Sequence, residues 1–481
     1  FSDNELSRLG LLVDDARDVM HTTSREMRRE QALQDTYGER TLTGVKQGIE
    51  QEYEKLLQAA EEAGDAKKLA RLEKNLGKDL KYVDTVRDMF LGTYGIPKDG
   101  VGVGINFSRY LRLFNTITLL PVSWLGNLTD IGAPALRFGV AEWARNIAPF
   151  VKAFSQNKKI ANELGIAVES VTGQRAKLIM EGASDLNKTQ QQGLNLWAKL
   201  SGMNLVTDVG QALGTRITIN AWRKMFKNID NLKPKDISRL AEAGIDKVSA
   251  MRINQQMDAH GKTTKGAFDP NVQAWDDDGA RNIFENAIRN EIRSRQVFEP
   301  APGDTPFIFE KADLYESGKM LGQFVKFMYG AQARWGMLGL QRADAEFLTG
   351  FFLMTSLGGL VATSKDYLRG KAIGEEEALP IILNSVDRGG VLGLIGMMPP
   401  AVHAVVTGER SGRYIMKEPW ALAIGPTGEP AWRAIQSVAK LATGNGTEND
   451  AWRVIKSMPF INTMYAMDLL RLAQEGEGYR E

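Results

Sequence analysis

The chain has no cysteine and only three histidines among its 481 residues. Without thiols it can form neither a disulfide nor a thiolate metal site. Because His21, His260 and His403 lie far apart in the sequence, histidine-based metal binding and acid–base catalysis are disfavoured as well. We therefore expect no metal and no cofactor. A chain without cysteine also suits a protein that meets both cytosol and cell envelope.

A net charge of one sign is missing too. The 60 basic and 59 acidic residues leave a formal charge of +1, so the whole chain presents no field for nucleic acid. Hydrophobic residues make up 43% of the chain, which is enough to bury a core. At this length we expect two or more packing units. The start, FSDNELSRLG, lacks the basic and apolar regions of a signal peptide, and we expect it to continue a longer polypeptide.

Sustained alternation of apolar and polar residues is absent, and so is a βαβ rhythm. Helical periodicity recurs in nearly every long segment, with Gly and Pro between the segments. We predict an all-α fold with no sheet of more than two strands. The expected form is an elongated multi-helix assembly with an N-terminal helical hairpin and glycine-rich apolar C-terminal helices. Three regions follow: a charged helical arm at 1–95, a helical middle region at 96–310 and a helical C-terminal region at 311–481.

The sequence of the charged arm predicts two antiparallel helices over about residues 43–90, with Gly64 and Asp65 as the turn between them. Interleaved Glu and Lys favour solvated outer faces, so a structural arm is favoured over a specific binding site. The apolar positions recur at helical spacing. They are Leu56, Leu57, Ala60, Leu69, Leu72, Leu76, Leu80 and Val83.

Two glycine-containing motifs resemble nucleotide-binding loops but depart from the full patterns. The sequence GKTTKG at 261–266 needs a further glycine five residues earlier, where Gln256 stands. The sequence GVGVG at 100–104 has no third glycine at the dinucleotide spacing. We interpret GVGVG as a hinge or turn, and expect no nucleotide site at either motif.

Candidate catalytic groups are equally weak. Glu169 and Ser170 resemble the Glu-Ser pair of lytic transglycosylases, but the continuation typical of those enzymes does not follow. The three aspartates at 276–278 point in different directions at a helix start, where they favour the helix dipole more than a cation. We predict no catalytic residue and no enzymatic activity within this segment.

Two uncharged runs, at 347–364 and 389–408, are the most informative segments. Each reaches the 18 to 20 residues at which a membrane span becomes possible, yet both are rich in Gly and the second contains Pro399 and Pro400. A long helix over 318–346 is expected to feed directly into the first run. The candidate membrane-active residues are Phe347, Phe351, Phe352, Leu353, Leu357, Leu360, Val391, Leu392, Leu394, Ile395, Val402 and Val405.

Two interpretations of these runs stay open. In a bilayer they would form a helical hairpin, and a Lys or Asp at Leu353 or Leu394 would oppose insertion by about 2.5–3.5 kcal/mol. Alternatively, glycine-rich apolar helices pack in a soluble core. His403, inside the second run, fits either a pH-responsive insertion or a packed core histidine.

The sequence of residues 108–481 resembles the C-terminal region of the large internal virion proteins of short-tailed bacteriophages. Four segments in the same order carry the resemblance. They are FNTITLLPVSWLGNLTDIGAPALRFGV, GKMLGQFVKFMYGAQARWGMLGLQRADAEF, NSVDRGGVLGLIG and MPFINTMYAMDLL. The resemblance implies a mainly helical homo-oligomeric core that sits on the portal inside the capsid with other internal virion proteins. It further implies ejection, followed by assembly of a conduit that carries phage DNA across the host envelope and inner membrane.

Two alternatives belong to other classes of protein. A stand-alone pore-forming or membrane-disrupting effector would use the same uncharged runs without a capsid partner. Some members of the resembled family carry a transglycosylase domain, so the chain could also be the non-catalytic region of a cell-wall-degrading enzyme. Localisation differs between these hypotheses, because only the first places the chain in the virion interior before it reaches the envelope.

Overall fold

The structure of the protein is a computed structural model. The described residues are 27, 29–91, 113, 127–167, 193–194, 196–198, 200–296, 330–368, 382, 385–386, 389–391 and 436–456. The chain divides into two compact units. One comprises residues 1–106, 187–189 and 301–319, and the other comprises the remaining residues. Each unit is described by itself below. The predicted three-region division stays a prediction.

The first unit contains the predicted antiparallel hairpin. Helix α1 runs over Thr43–Glu62 and helix α2 over Ala66–Leu91. Gly64 has a φ of 65°, a left-handed conformation that glycine adopts without steric cost. Between the helices, Lys46 Nζ lies 2.6 Å from Asp84 Oδ1. The Tyr53 hydroxyl donates to Asp79 Oδ2 at 2.6 Å. These contacts fix how the two helices align.

The second unit is built from shorter helices around one long one. Its α-helices are α3 Ala133–Phe138, α4 Val140–Lys152, α5 Phe154–Glu163, α6 Met203–Lys227, α7 Pro234–Glu242, α8 Lys247–His260, α9 Asp278–Asn290, α10 Leu338–Arg342, α11 Ala345–Leu368 and α12 Glu448–Lys456. Short 3-10 helices occupy Thr129–Gly132, Ile229–Asn231 and Val272–Ala274. Two π-helical segments span Glu291–Gln296 and Gln332–Met337. The fold class is all-α, as predicted from the sequence.

The main core of this unit surrounds α6, which is buried along most of its length. Trp222 of α6 packs edge-on against Phe284 of α9, with ring centroids 6.2 Å apart. Trp275 lies 5.3 Å from the same phenylalanine, and Ile253 of α8 is fully buried in the same cluster. The sequence predicts an amphipathic face on α9, and Phe284 lies on it. Because aromatic pairs add to area burial, this cluster fixes α6, α8 and α9 together.

The GKTTKG motif forms a β-hairpin. Strand β1, Lys262–Thr264, pairs antiparallel with β2, Ala267–Asp269, with Thr263 opposite Phe268. Lys265 and Gly266 connect the strands with φ values of 51° and 79°, as a tight two-residue hairpin turn requires. The glycine and lysine pattern therefore serves a turn, and this is the one sheet within the described residues.

Two local predictions differ from the structure. The segment KPKDISRLAEAGI at 233–245 predicts a helix with Asp236 as its N-cap, but α7 begins at Pro234, and Asp236 lies in its first turn. Proline suits this first helical position because its missing N–H has no partner there in any case. The expected continuous helix over 318–346 is also wrong at its end. It stops at Arg342, Ala343 adopts a φ of 44°, and α11 begins afresh at Ala345.

Candidate functional site

Helix α11 contains the first uncharged run and is the strongest candidate for a functional element. Its stretch Ala345–Ser364 is long and apolar enough to cross a membrane by length and composition, and 28% of that stretch is buried. The Asp344 carboxylate accepts the Phe347 N–H at 2.8 Å, which caps the helix start. Glu346 in the first turn complements the positive end of the helix dipole. Local sequence therefore sets where this apolar helix begins.

One face of α11 is packed on the rest of the unit. Phe347, Met354 and Val361 are buried at seven-residue intervals, and the first two lie in a cluster with Leu136 and Trp335. The Trp335 indole donates to the Arg295 carbonyl at 2.7 Å. This second, smaller cluster holds α11 against α3 and the π-helical segment before α10.

Glycines allow the helices to approach closely. A Cβ at Gly350 would lie 2.5 Å from the backbone nitrogen of Leu136 in α3. A Cβ at Gly132 would lie 2.7 Å from Leu357 and 2.9 Å from the Met354 sulfur. Real Cβ atoms do not come this close to a neighbour. At Gly132 the neighbouring atoms are the ends of flexible side chains, which can move, whereas at Gly350 they belong to the backbone, so the packing of α11 depends on Gly350. The glycine content of the run thus has a packing role in the folded unit.

The opposite face of α11 is exposed and apolar at several positions. Phe352 is 67% exposed, Leu360 is 65% exposed and Leu348 is 50% exposed. Thr349, Ser356 and Thr363 also lie exposed, and their hydroxyls donate to carbonyls one turn earlier in the helix. No charged side chain interrupts this face between Glu346 and Lys365. It is compatible with an apolar environment because its hydroxyls are satisfied within the helix.

The predicted membrane-active residues distribute unequally over α11. Phe347 is buried, Phe351, Leu353 and Leu357 are half-buried, and Phe352 and Leu360 are exposed. Val391 of the second run is buried beside Met354 and Trp335. Leu392, Leu394, Ile395, Val402 and Val405 lie outside the described residues, as do His403, Glu169 and Ser170. The two uncharged runs therefore meet at Val391 in the folded unit.

Charged residues of α7 bind the N-terminal end of α11, and we call this group the anchor: Lys235, Arg239, Asp344 and Glu346. Arg239 Nη2 donates to Asp344 Oδ2 at 2.6 Å and lies 3.6 Å from Glu346 Oε2. Lys235 forms an ion pair with Glu346. The Arg239 side chain is only 5% exposed, so its charge requires these carboxylates. Sequence reasoning missed the anchor because its halves lie about a hundred residues apart.

A second group of charged residues involves the last residue of α7, Glu242, whose carboxylate binds three arginines. We call Glu242, Glu291 and these arginines the arginine cluster. Glu242 Oε2 accepts from Arg137 Nη1 and Arg295 Nη1, each at 2.7 Å, and it also pairs with Arg342. Arg137 is buried, and its Nε donates to Glu291 Oε1 at 2.9 Å. The cluster joins α3, α7, the π-helical segment Glu291–Gln296 and α10. It therefore fixes the support on which α11 rests.

The pKa values of this cluster follow its charges. Burial acts to raise the pKa of Glu242, but Arg137, Arg342 and Arg295 together hold it below its ordinary value. Burial acts to lower the pKa of Arg137, and Glu291 and Glu242 together raise it above its ordinary value. Glu242 therefore stays ionised at neutral pH, and the cluster is a structural ion network.

The remaining candidate groups have structural partners. Asp277 caps α9 by accepting the Ala280 N–H at 2.9 Å, and Arg252 Nε donates to it at 2.7 Å, so this carboxylate supports the helix start. His260 lies 3.2 Å from Asp276. Among the described residues, no three His, Cys, Asp or Glu side chains lie close enough to hold a metal ion.

Comparisons with protein-family models, with curated proteins and with solved structures each return no match to this chain.

Proposed function

We propose that this chain is an internal virion protein of a short-tailed bacteriophage, without enzymatic activity in this segment. It forms part of an oligomeric core on the portal, leaves the capsid on infection and helps to build a channel for DNA across the host envelope. The sequence resemblance supplies this hypothesis. The observation that carries its membrane step is α11, an uncharged helix that packs on the protein by one face and exposes Phe352 and Leu360 on the other.

The protein needs two environments in this function. Inside the virion, α11 is held by the close crossing at Gly350 and by the anchor. In the envelope, the same helix has the length to cross a bilayer with no charge between Glu346 and Lys365. The absence of cysteine removes any disulfide that would block passage of an unfolded chain through a narrow tail.

A substitution on the exposed face of α11 tests the membrane step. Phe352→Lys leaves the folded unit within about 0.5 kcal/mol of wild type, because the side chain is mostly exposed. The same lysine opposes insertion by about 2.5–3.5 kcal/mol near the bilayer centre. We expect Phe352→Lys to lose most of its flotation with liposomes.

The matched control is Leu340→Lys, an equally exposed apolar position on α10, outside the candidate span. It should float as wild type does. Equal flotation of all three proteins would overturn the membrane step.

The proposed location in the virion has its own test, which is mass spectrometry of intact virions and of particles emptied of DNA. We expect to detect the chain in intact virions and not in emptied particles. Its retention in emptied particles would contradict ejection.

A further inference from the structure

The α1–α2 hairpin has an open apolar side. Within the described residues of α1, Ala60 is the one fully buried side chain, and the stripe formed by Leu57, Leu72 and Leu76 is only half-buried. Val45, Leu56 and Val86 are exposed by 36%, 49% and 43%. The described residues of this unit add only a short helical stretch at 29–37 to the hairpin, and helices gain most of their stability from packing against further elements. The hairpin therefore has apolar surface to cover.

The exposed apolar residues all lie on the same side of the hairpin. Val45 and Leu56 each precede a half-buried residue, Lys46 and Leu57, by one position, and Val86 precedes half-buried Arg87. One position is a rotation of about 100° around a helix. In each helix, the exposed residue is rotated by the same angle, in the same sense along the chain, from the residues that contact the other helix. Because the two helices run in opposite directions, these exposed residues point to the same side of the pair. The side chains thus form a single face rather than two.

The two helices carry opposite net charges. Helix α1 has two lysines against five glutamates, a net charge of −3. Helix α2 has seven lysines and arginines against four aspartates and glutamates, a net charge of +3. A second hairpin is a matching partner, provided that each α1 meets an α2. Contact of α1 with α1 would bring like charges together.

We propose that the open face of the hairpin binds the same face of a second copy of this chain, as a four-helix bundle with α1 of each copy against α2 of the other. A two-fold axis parallel to the helices gives this arrangement and makes the contact isologous. The alternative axis, perpendicular to the helices, would stack α1 on α1.

The contacts within one hairpin predict which residues meet across the pair. Lys46 contacts Asp84 and Tyr53 contacts Asp79, so residues whose numbers sum to about 131 lie level with each other. Val45 is therefore level with Val86. With the two-fold axis parallel to the helices, Val45 faces Val86 of the partner subunit. Val45 of the partner subunit lies diagonally across the bundle and is farther away.

Single cysteines in the full chain test this pairing against a background free of native thiols. Val45→Cys and Val86→Cys proteins are mixed in equal amounts and oxidised mildly, and mass spectrometry identifies the linked peptides. We expect the mixed 45–86 disulfide in at least tenfold excess over either like pair. The matched control is Gln47→Cys, exposed on the other side of α1 only two residues from Val45. Mixed with Val86→Cys, it should give less than a tenth of that product.

Sedimentation of the unmodified chain and of Leu56→Lys gives a second readout. Leu56→Lys should weaken self-association at least tenfold with an unchanged circular dichroism spectrum. Predominance of 45–45 or 86–86 links would overturn the proposed pairing, and so would a wild-type chain that sediments as a monomer at every concentration. The proposed pairing of hairpins is independent of the proposed function. Liposome flotation of Phe352→Lys tests the membrane step, and its result does not depend on whether the hairpins pair.

Discussion

Gly350 lies where α11 crosses α3, and its missing side chain sets the distance between the two helices. The neighbouring atoms belong to the backbone of Ala135 and Leu136, which cannot rotate away as a flexible side chain would. Sequence inspection suggests that glycines in this segment permit close packing, but it does not identify which glycine is required. That depends on α3, more than two hundred residues earlier in the chain.

We predict that Gly350→Ala lowers the free energy of unfolding of the second unit by about 1–3 kcal/mol, because its Cβ forces α11 away from α3. Chemical denaturation monitored by circular dichroism measures the change. Gly77→Ala in α2 is the control, since a Cβ there has no neighbour within 4 Å. Alanine should stabilise that helix by about 0.5–1 kcal/mol. A Gly350→Ala protein as stable as wild type would contradict the close crossing.

At the scale of elements, α7 connects two sets of charges. Its Arg239 and Lys235 bind the start of α11, and its last residue, Glu242, collects the arginine cluster. Both sets of charges therefore depend on the placement of one short helix.

We predict that Glu242→Gln destabilises the second unit by about 3 kcal/mol, because Arg137 remains buried with one fewer anionic partner. The measurement is urea denaturation at neutral pH. Asp278→Asn serves as the control, because its pair with Arg281 lies at the surface with the aspartate 77% exposed. Its cost should stay below about 1 kcal/mol. Equal effects of the two substitutions would show that the cluster is not a connected network.

The elements differ in how far their sequences predict them. Periodic apolar residues and Gly64 are local signals, and they place α1 and α2 correctly. The break at Ala343 is not visible locally, because the sequence on both sides favours a helix and the anchor at Asp344 imposes the new start. Similarly, the uniformly apolar run of α11 does not reveal which face packs. Phe352 and Phe351 are neighbours of one type, and only contact with α3 distinguishes them.

At the scale of the whole molecule, the carboxylates make stability depend on acid. A hydrogen bond from Arg252 lowers the pKa of Asp277 to about 2, and the backbone N–H of Thr447 lowers the pKa of Asp450 to about 2. Both folded-state values lie below the unfolded value of about 4. The stability they contribute is complete above the unfolded value and is lost as the pH falls through the folded value.

We therefore predict that the free energy of unfolding falls between about pH 4 and pH 2, measured by urea denaturation at fixed ionic strength. Asp277→Asn should make this decrease shallower, because one of the depressed carboxylates is gone. A stability independent of pH in this window would contradict the assigned carboxylate contacts.

The crossing at Gly350 also has a kinetic consequence. A slide or turn of α11 by one residue would put the side chain of Thr349 or Phe351 into the space that only a hydrogen atom occupies now. Intermediate positions therefore clash, and packed interfaces of this kind switch between discrete arrangements rather than deform gradually. We therefore expect α11 to leave α3 by lifting off rather than by sliding along it. Such a release would newly expose the packed side chains Phe347, Met354 and Val361, since Phe352 and Leu360 are exposed already.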